Sequence, residues 1–279
     1  MSANYPWGGP DEDSPSSEPA GPPAEAPPVA EDPPFGGVEV LQIGLLMFVA
    51  PSLLAPLLVV LLQRVFYPQL TLTAVASKPW ILLGSQFAWY AVIALFLIDY
   101  ARSRFRQTLW QAVRWNWPKH AWPALVALGF FTLFALEGLE RLLPTPTKGP
   151  FEQFFDRPID AYAFAFLAIA FAPLMEELFF RGILYPVLAR RLGVVLAVLL
   201  TALTFAGIHI PEYKSGVAAN QAWVPVVIIF LVGMVLTLVR ATMKSVGASF
   251  IVHSIYNGIP ILAALITSRG FRDLHKLAQ

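Results

Sequence analysis

Phe171-Ala-Pro-Leu-Met-Glu176-Glu177-Leu-Phe-Phe-Arg181 sets two adjacent carboxylates inside an apolar stretch that runs from about 165 to 188. A membrane-crossing helix needs about 20 such residues to span a hydrocarbon core about 30 Å thick. A charged side chain at mid-bilayer costs roughly 2.5 to 3.5 kcal/mol on insertion scales. The doublet is therefore expected to be partnered, or to line a wet cavity.

Helical spacing divides the pair. Glu177 and Arg181 are four apart and share a face, so they can form an ion pair. Glu176 points about 100° away, since a helix turns 3.6 residues per cycle. Glu177 is expected to be neutralised and Glu176 left for other work. Pro173 has no N–H for the carbonyl four residues earlier, that of Ile169, and predicts a loosened helix just before Glu176.

Outward from the doublet lie further apolar segments at about 40–62, 81–99, 122–143, 195–211, 222–239 and 246–266. The chain has 279 residues, 57% hydrophobic and 13% charged, with mean hydropathy +0.62. A soluble domain carries about a quarter charged residues. These features predict an all-α fold: a polytopic transmembrane helical bundle of about 7–8 spans, multi-pass in the cell membrane. There is no cysteine, which excludes a thiol nucleophile, a disulfide framework and a cysteine metal cage. A net charge of +1 without a basic run gives no reason to expect a nucleic-acid partner.

Residues 1–36 hold ten of the 25 prolines and a scatter of acids. Such a stretch buries too little apolar surface to offset its chain entropy, and predicts a disordered tail. No cleavable signal peptide is expected, because no basic residue precedes Arg64. The expected organisation is this tail, N-terminal spans with a basic surface loop over 37–160, a core over 161–266, and a C-terminal tail over 267–279. The connection 100–121 carries Arg102, Arg104, Arg106, Arg114 and Lys119 with Trp110, Trp115 and Trp117 among them. Basic and aromatic residues together read as a membrane-surface segment on the cytoplasmic side, with a nucleic-acid patch as the lesser alternative. In a seven-span arrangement Arg190, Arg191, Arg240 and Lys244 fall in connections on the same side. The remaining basic residues balance them, so only the 100–121 cluster marks a side.

Two later segments carry further polar groups out of place. Arg190-Arg191-Leu192-Gly193 reads as a helix end, basic in its last turn and stopped by glycine. Glu176 precedes Gly193 by 17 residues and His209 follows it by 16. At 1.5 Å per residue both lie about 25 Å from the turn, so an antiparallel hairpin brings them to one depth. Phe205 shares a face with His209 and can wall the site. His253 and Asn257 share a face of the last segment.

The set suits hydrolysis. A carboxylate withdrawn from water holds its proton to higher pH, toward the range a general base needs. A neighbouring histidine can orient water. A second histidine and an asparagine amide can donate to the oxyanion of a tetrahedral intermediate. Taken singly, each motif also reads as packing: an ion-pair staple, an interfacial histidine, or interhelical hydrogen-bond glue.

Glu176-Glu177-x-x-x-Arg181, then Phe205-x-x-x-His209, then His253-x-x-x-Asn257 resembles the CPBP family of intramembrane proteases. That family includes the type II CAAX prenyl endopeptidases and bacteriocin-processing or self-immunity homologues. The resemblance covers about 165–262. It implies a helical fold with its site inside the bilayer, Glu176 activating water with His209 assisting, and His253 and Asn257 stabilising the oxyanion. Glu177 and Arg181 would be supporting residues. The implied substrate is a membrane protein or lipid-modified peptide, met in the lipid bilayer. No cofactor is expected. Zinc held by Glu176, His209 and His253 is the alternative, although His-Glu-x-x-His is absent.

Other functions stand beside this one. A non-enzymatic scaffold or immunity protein would keep the motifs for packing. A proton-coupled transporter is disfavoured by the lack of a visible inverted repeat. A serine protease is disfavoured because Gly247-Ala-Ser249-Phe250 lacks a second glycine after the serine, and no lysine lies within the spans to form a dyad.

Overall fold

The computed structural model describes residues 33–143, 151–214 and 223–273. Among them every regular element is helical. Among the described residues seven helices are long and apolar enough to cross a membrane. They are α1 (Gly37–Phe66), α2 (Pro79–Phe105), α3 (Trp122–Glu140), α4 (Pro158–Leu192), α5 (Val194–Lys214), α6 (Trp223–Met243) and α7 (Val246–Thr267). The chain is a multi-pass membrane protein. Its outward surface agrees with that: Leu53, Leu57, Leu61 and Val65 of α1 stand exposed, as side chains facing lipid do.

Local chemistry sets the ends. Proline occupies the first or second position of α2, α3 and α4, where its missing N–H is not needed. Gly193 stops α4 at φ 79°, a backbone region that costs glycine nothing. The turn thus falls on the glycine expected, and α5 begins at the next residue. Ser245 caps α7, its hydroxyl accepting from the Ala248 N–H at 3.2 Å.

Small residues let the helices close on one another. A Cβ on Gly129 of α3 would meet Ile255 of α7 at 2.7 Å. One on Gly233 of α6 would meet Phe205 of α5 at 3.1 Å. These approaches hold α5, α6 and α7 where their polar side chains reach α4.

Three expectations need correction. Helix α2 continues to Phe105, so Arg102 and Arg104 belong to its last turn and not to a connection. Helix α6 continues to Met243, which puts Arg240 inside it and buries it. Residues 33–36 were read as the end of a disordered tail, yet they pack: Phe35 is buried edge-on to Phe105. Arg190 donates to the Pro33 carbonyl at 3.0 Å and to that of Phe35. The tail expected over residues 1–32 lies outside the described residues. In the expected C-terminal tail, Phe271 is buried against Tyr162 and Phe155, and residues 274–279 lie outside the description.

The contact at Gly129 gives a test. Gly129→Val forces α3 from α7 and should lower stability by about 1 to 3 kcal/mol, the usual cost of overpacking. Thermal unfolding in detergent reads this as a lower midpoint. An unchanged midpoint would show that the two helices do not depend on so close an approach.

Candidate active site

Helix α4 contains two π turns, Leu167–Phe171 and Phe180–Leu184. In a π turn an N–H bonds the carbonyl five residues back. Ala172 N–H bonds the Leu167 carbonyl, and Tyr185 N–H bonds that of Phe180. The next donors in that register belong to Pro173 and Pro186, which have no N–H. The carbonyls of Ala168 and Arg181 are left over. Side chains from other helices take both. Asn257 Nδ2 of α7 donates to the Ala168 carbonyl at 3.0 Å. Arg240 Nε of α6 donates to the Arg181 carbonyl at 3.0 Å. Pro173 does loosen the helix before Glu176, but the π register moves the freed carbonyl from Ile169 to Ala168.

The carboxylates lie between these turns. Glu177 is fully buried. Its Oε1 accepts from Arg181 Nη1 at 2.8 Å and from His253 Nδ1 at 3.0 Å. Arg181, also fully buried, gives Nη2 to the Gly233 carbonyl at 3.1 Å. Glu177 thus has its expected arginine, and in addition a histidine from α7. Ser249, one turn before His253, is buried and gives its hydroxyl to the Val246 carbonyl at 3.0 Å.

Glu176 faces elsewhere. Its side chain keeps 12% of its surface exposed, and its Oε2 is 3.7 Å from His253 Nε2. A carboxylate only accepts hydrogen bonds, so His253 donates through Nδ1 to Glu177 and turns Nε2 toward Glu176. His209 is set in a similar way. Its Nδ1 is 2.7 Å from the Phe205 carbonyl, which also only accepts, so Nε2 is left to accept from a donor while the ring is neutral.

Phe205 joins these groups. Its ring meets His209 at 4.9 Å, His253 at 5.8 Å and Phe180 at 5.1 Å. The Arg181 guanidinium lies 4.6 Å from its centroid. One aromatic ring thus separates the two histidines and covers the buried arginine. Glu176, Glu177, Arg181, Phe205, His209 and His253 form one linked cluster, with Asn257 a turn beyond His253.

Residues 158–259 match the family model described as type II CAAX prenyl endopeptidase, Rce1-like. This stretch is similar to an Rce1-like domain. It runs from the first residue of α4 into α7 and includes every member of the cluster. The match supports the resemblance to CPBP proteases drawn from the three motifs. No curated protein and no solved structure gives a significant match to the chain.

The donor set of the cluster bears on metal binding. Among the described residues no group of three or more His, Asp or Glu is arranged to hold a metal ion. Glu176, His209 and His253 do not form such a group here.

Two contributors were not legible as such. Arg240 reads in sequence as a loop cation, although the apolar run resumes past it through Ala241 and Met243. Gly233 contributes a carbonyl, which no side-chain pattern marks.

The Asn257 contact yields a separating experiment. Asn257→Ala removes both the donor to Ala168 and any donor to substrate. Pro173→Ala supplies a backbone N–H for the Ala168 carbonyl. If Asn257 acts only on that carbonyl, the double variant should recover most of the turnover lost in Asn257→Ala. If the second amide N–H serves an oxyanion, recovery should fail, leaving a deficit of about 10² to 10³ in rate. We expect the deficit, read as turnover of the two variants side by side.

Proposed function

We propose that the protein is an intramembrane endopeptidase of the cell membrane. It hydrolyses a peptide bond of a membrane protein or lipid-modified peptide, using water activated by Glu176. One observation carries this reading: the two adjacent carboxylates have unlike settings. Glu177 is fully buried and holds Arg181 and His253. Glu176 retains exposure and faces the far nitrogen of the same histidine. A pair kept only to staple helices would have no use for this difference.

The chemistry follows from the donors and acceptors. Glu176 takes a proton from water as the oxygen attacks the scissile carbonyl, and later delivers it to the leaving amine. His209 Nε2 accepts a hydrogen bond from the same water and orients it. As charge builds on the carbonyl oxygen, the remaining N–H of Asn257 donates to it. His253 does so too when Nε2 carries a proton, with Glu177 balancing the imidazolium. Arg181 pairs with Glu177 and holds it in place. No metal enters these steps.

Purified protein in proteoliposomes, offered a membrane proteome, tests the reading through newly formed peptide termini. Glu176→Gln should abolish cleavage while the thermal midpoint stays near wild type. Turnover should fall as the medium is made acidic, because a protonated base takes no proton from water. It should persist through chelation and dialysis. Near-normal cleavage by Glu176→Gln would favour a packing role for the motifs, as in a scaffold or immunity protein. Activity lost on chelation and restored by stoichiometric zinc would replace the base mechanism with a metal-assisted one.

A further inference from the structure

Arg240 is buried inside a membrane helix, and the mechanism above gives it no part. Intramembrane arginines are costly and are found paired, commonly at functional sites. Here the Arg240 Nε donates to a backbone carbonyl at 3.0 Å, and its guanidinium carbon lies 5.7 Å from the Tyr185 ring centroid. The carbonyl belongs to Arg181, which Pro186 leaves without a backbone donor.

We infer that Arg240 is a positioning residue that acts through Arg181 on Glu177 and His253, and so on Glu176. This rests on the proteolytic reading for its consequence, though not for its geometry. Arg181 is gripped at both ends by one helix. Its side chain gives Nη2 to the Gly233 carbonyl, and its own carbonyl accepts from Arg240 Nε. Thr237 lies between these two on the same face, buried, with its hydroxyl on the Gly233 carbonyl at 2.7 Å. Helix α6 therefore presents a polar stripe of Gly233, Thr237 and Arg240 to the second π turn of α4. Arg181 in turn sets Glu177, and Glu177 sets the Nδ1 of His253, whose Nε2 faces Glu176. A loosened Arg181 carbonyl passes along that chain to the base.

The missing proline N–H makes the idea separable from a mere need for bulk or charge. Arg240→Leu removes the donor. Arg240→Gln keeps an N–H donor without the charge. Pro186→Ala gives residue 186 an N–H in register with the Arg181 carbonyl, so it should replace Arg240 in the double variant. Two measurements are made on each: kcat and KM for cleavage, and hydrogen–deuterium exchange of the segment 180–187 in detergent. Arg240→Leu should lower kcat by about 10- to 100-fold with KM little changed, the scale of a small misplacement of catalytic groups. Its 180–187 segment should exchange faster. Arg240→Gln should keep most of the activity. The double variant Arg240→Leu with Pro186→Ala should regain both activity and protection.

Equal impairment of the Gln and Leu variants, with no recovery in the double variant, would overturn the inference in favour of a charge or packing role. Unchanged exchange over 180–187 in Arg240→Leu would overturn it as well. If the wild type cleaves nothing, the exchange series still decides. Faster exchange in Arg240→Leu, restored by Pro186→Ala, would keep the positioning role while the proteolytic reading fails.

Discussion

A fully buried carboxylate inside an apolar bundle is the constraint on which the rest depends. An unpaired charge there costs several kcal/mol even after relaxation. Glu177 meets it with two donors on one oxygen, from Arg181 on its own helix and from His253 on α7. Arg181 has the same problem in the opposite sign, and α6 answers it with the Gly233 carbonyl. Satisfying one ion pair therefore ties α4 to α6 and α7. Phe205 of α5 closes over the guanidinium. The helices that carry the polar motifs are drawn together by the needs of Glu177, and Glu176 is left at the edge of that network with part of its surface open.

Backbone irregularity does the fine placement. A straight α-helix would keep its carbonyls to itself. Here each π turn in α4 is followed at once by a residue and then a proline, and each such step releases one carbonyl. The released groups at Ala168 and Arg181 are answered from α7 and α6. In lipid a freed carbonyl must find a protein partner, since water is absent. The prolines thus convert two gaps in a helix ladder into two specific tethers between helices. A third π turn, Leu45–Val49 in α1, also precedes an Ala-Pro step, Ala50-Pro51. The arrangement is a habit of this chain and not confined to the cluster.

Much of this was legible beforehand. Apolar runs located the seven spans, although α4 starts at Pro158 and not near 165 and α2 ends at Phe105 and not near 99, because burial in lipid leaves a compositional mark. Four-residue spacing paired Glu177 with Arg181, and Gly193 marked the hairpin, because local geometry decides both. The rest depends on packing between distant segments. That His253 would reach both glutamates follows from the approach of α7 to α4, which no local pattern encodes. The partner of Arg240 is a backbone carbonyl, and its availability depends on a π register that a proline suggests without specifying. Phe35 packs where the proline-rich composition around it argues for disorder, since a single aromatic can anchor a segment that averages cannot describe.

Depth is where counting along one helix misleads. From Gly193 the site seemed about 25 Å distant along α4 at 1.5 Å per residue. But α4 has 35 residues, far more than the about 20 a bilayer requires, so its last turns need not lie within the hydrocarbon. The other helices give shorter paths. Gly233 precedes Met243, the end of α6, by ten residues, and Phe205 follows Val194, the start of α5, by eleven; these are about 15 and 16 Å. His253 follows Val246 by seven residues, or about 10 Å. With spans that alternate, these ends all belong to the side that carries the cluster of basic residues and tryptophans after α2. That segment is joined to the start of α7: the Val246 N–H donates to the Arg114 carbonyl at 3.1 Å, the Ser245 hydroxyl donates to that of Asn116, and Trp115 packs on Phe250. The cluster therefore lies in the half of the bundle that carries this basic segment, the segment expected on the cytoplasmic side by the rule that basic residues stay there. The remoteness of Arg190 and Arg191 along α4 is then no obstacle to a site approached from that side.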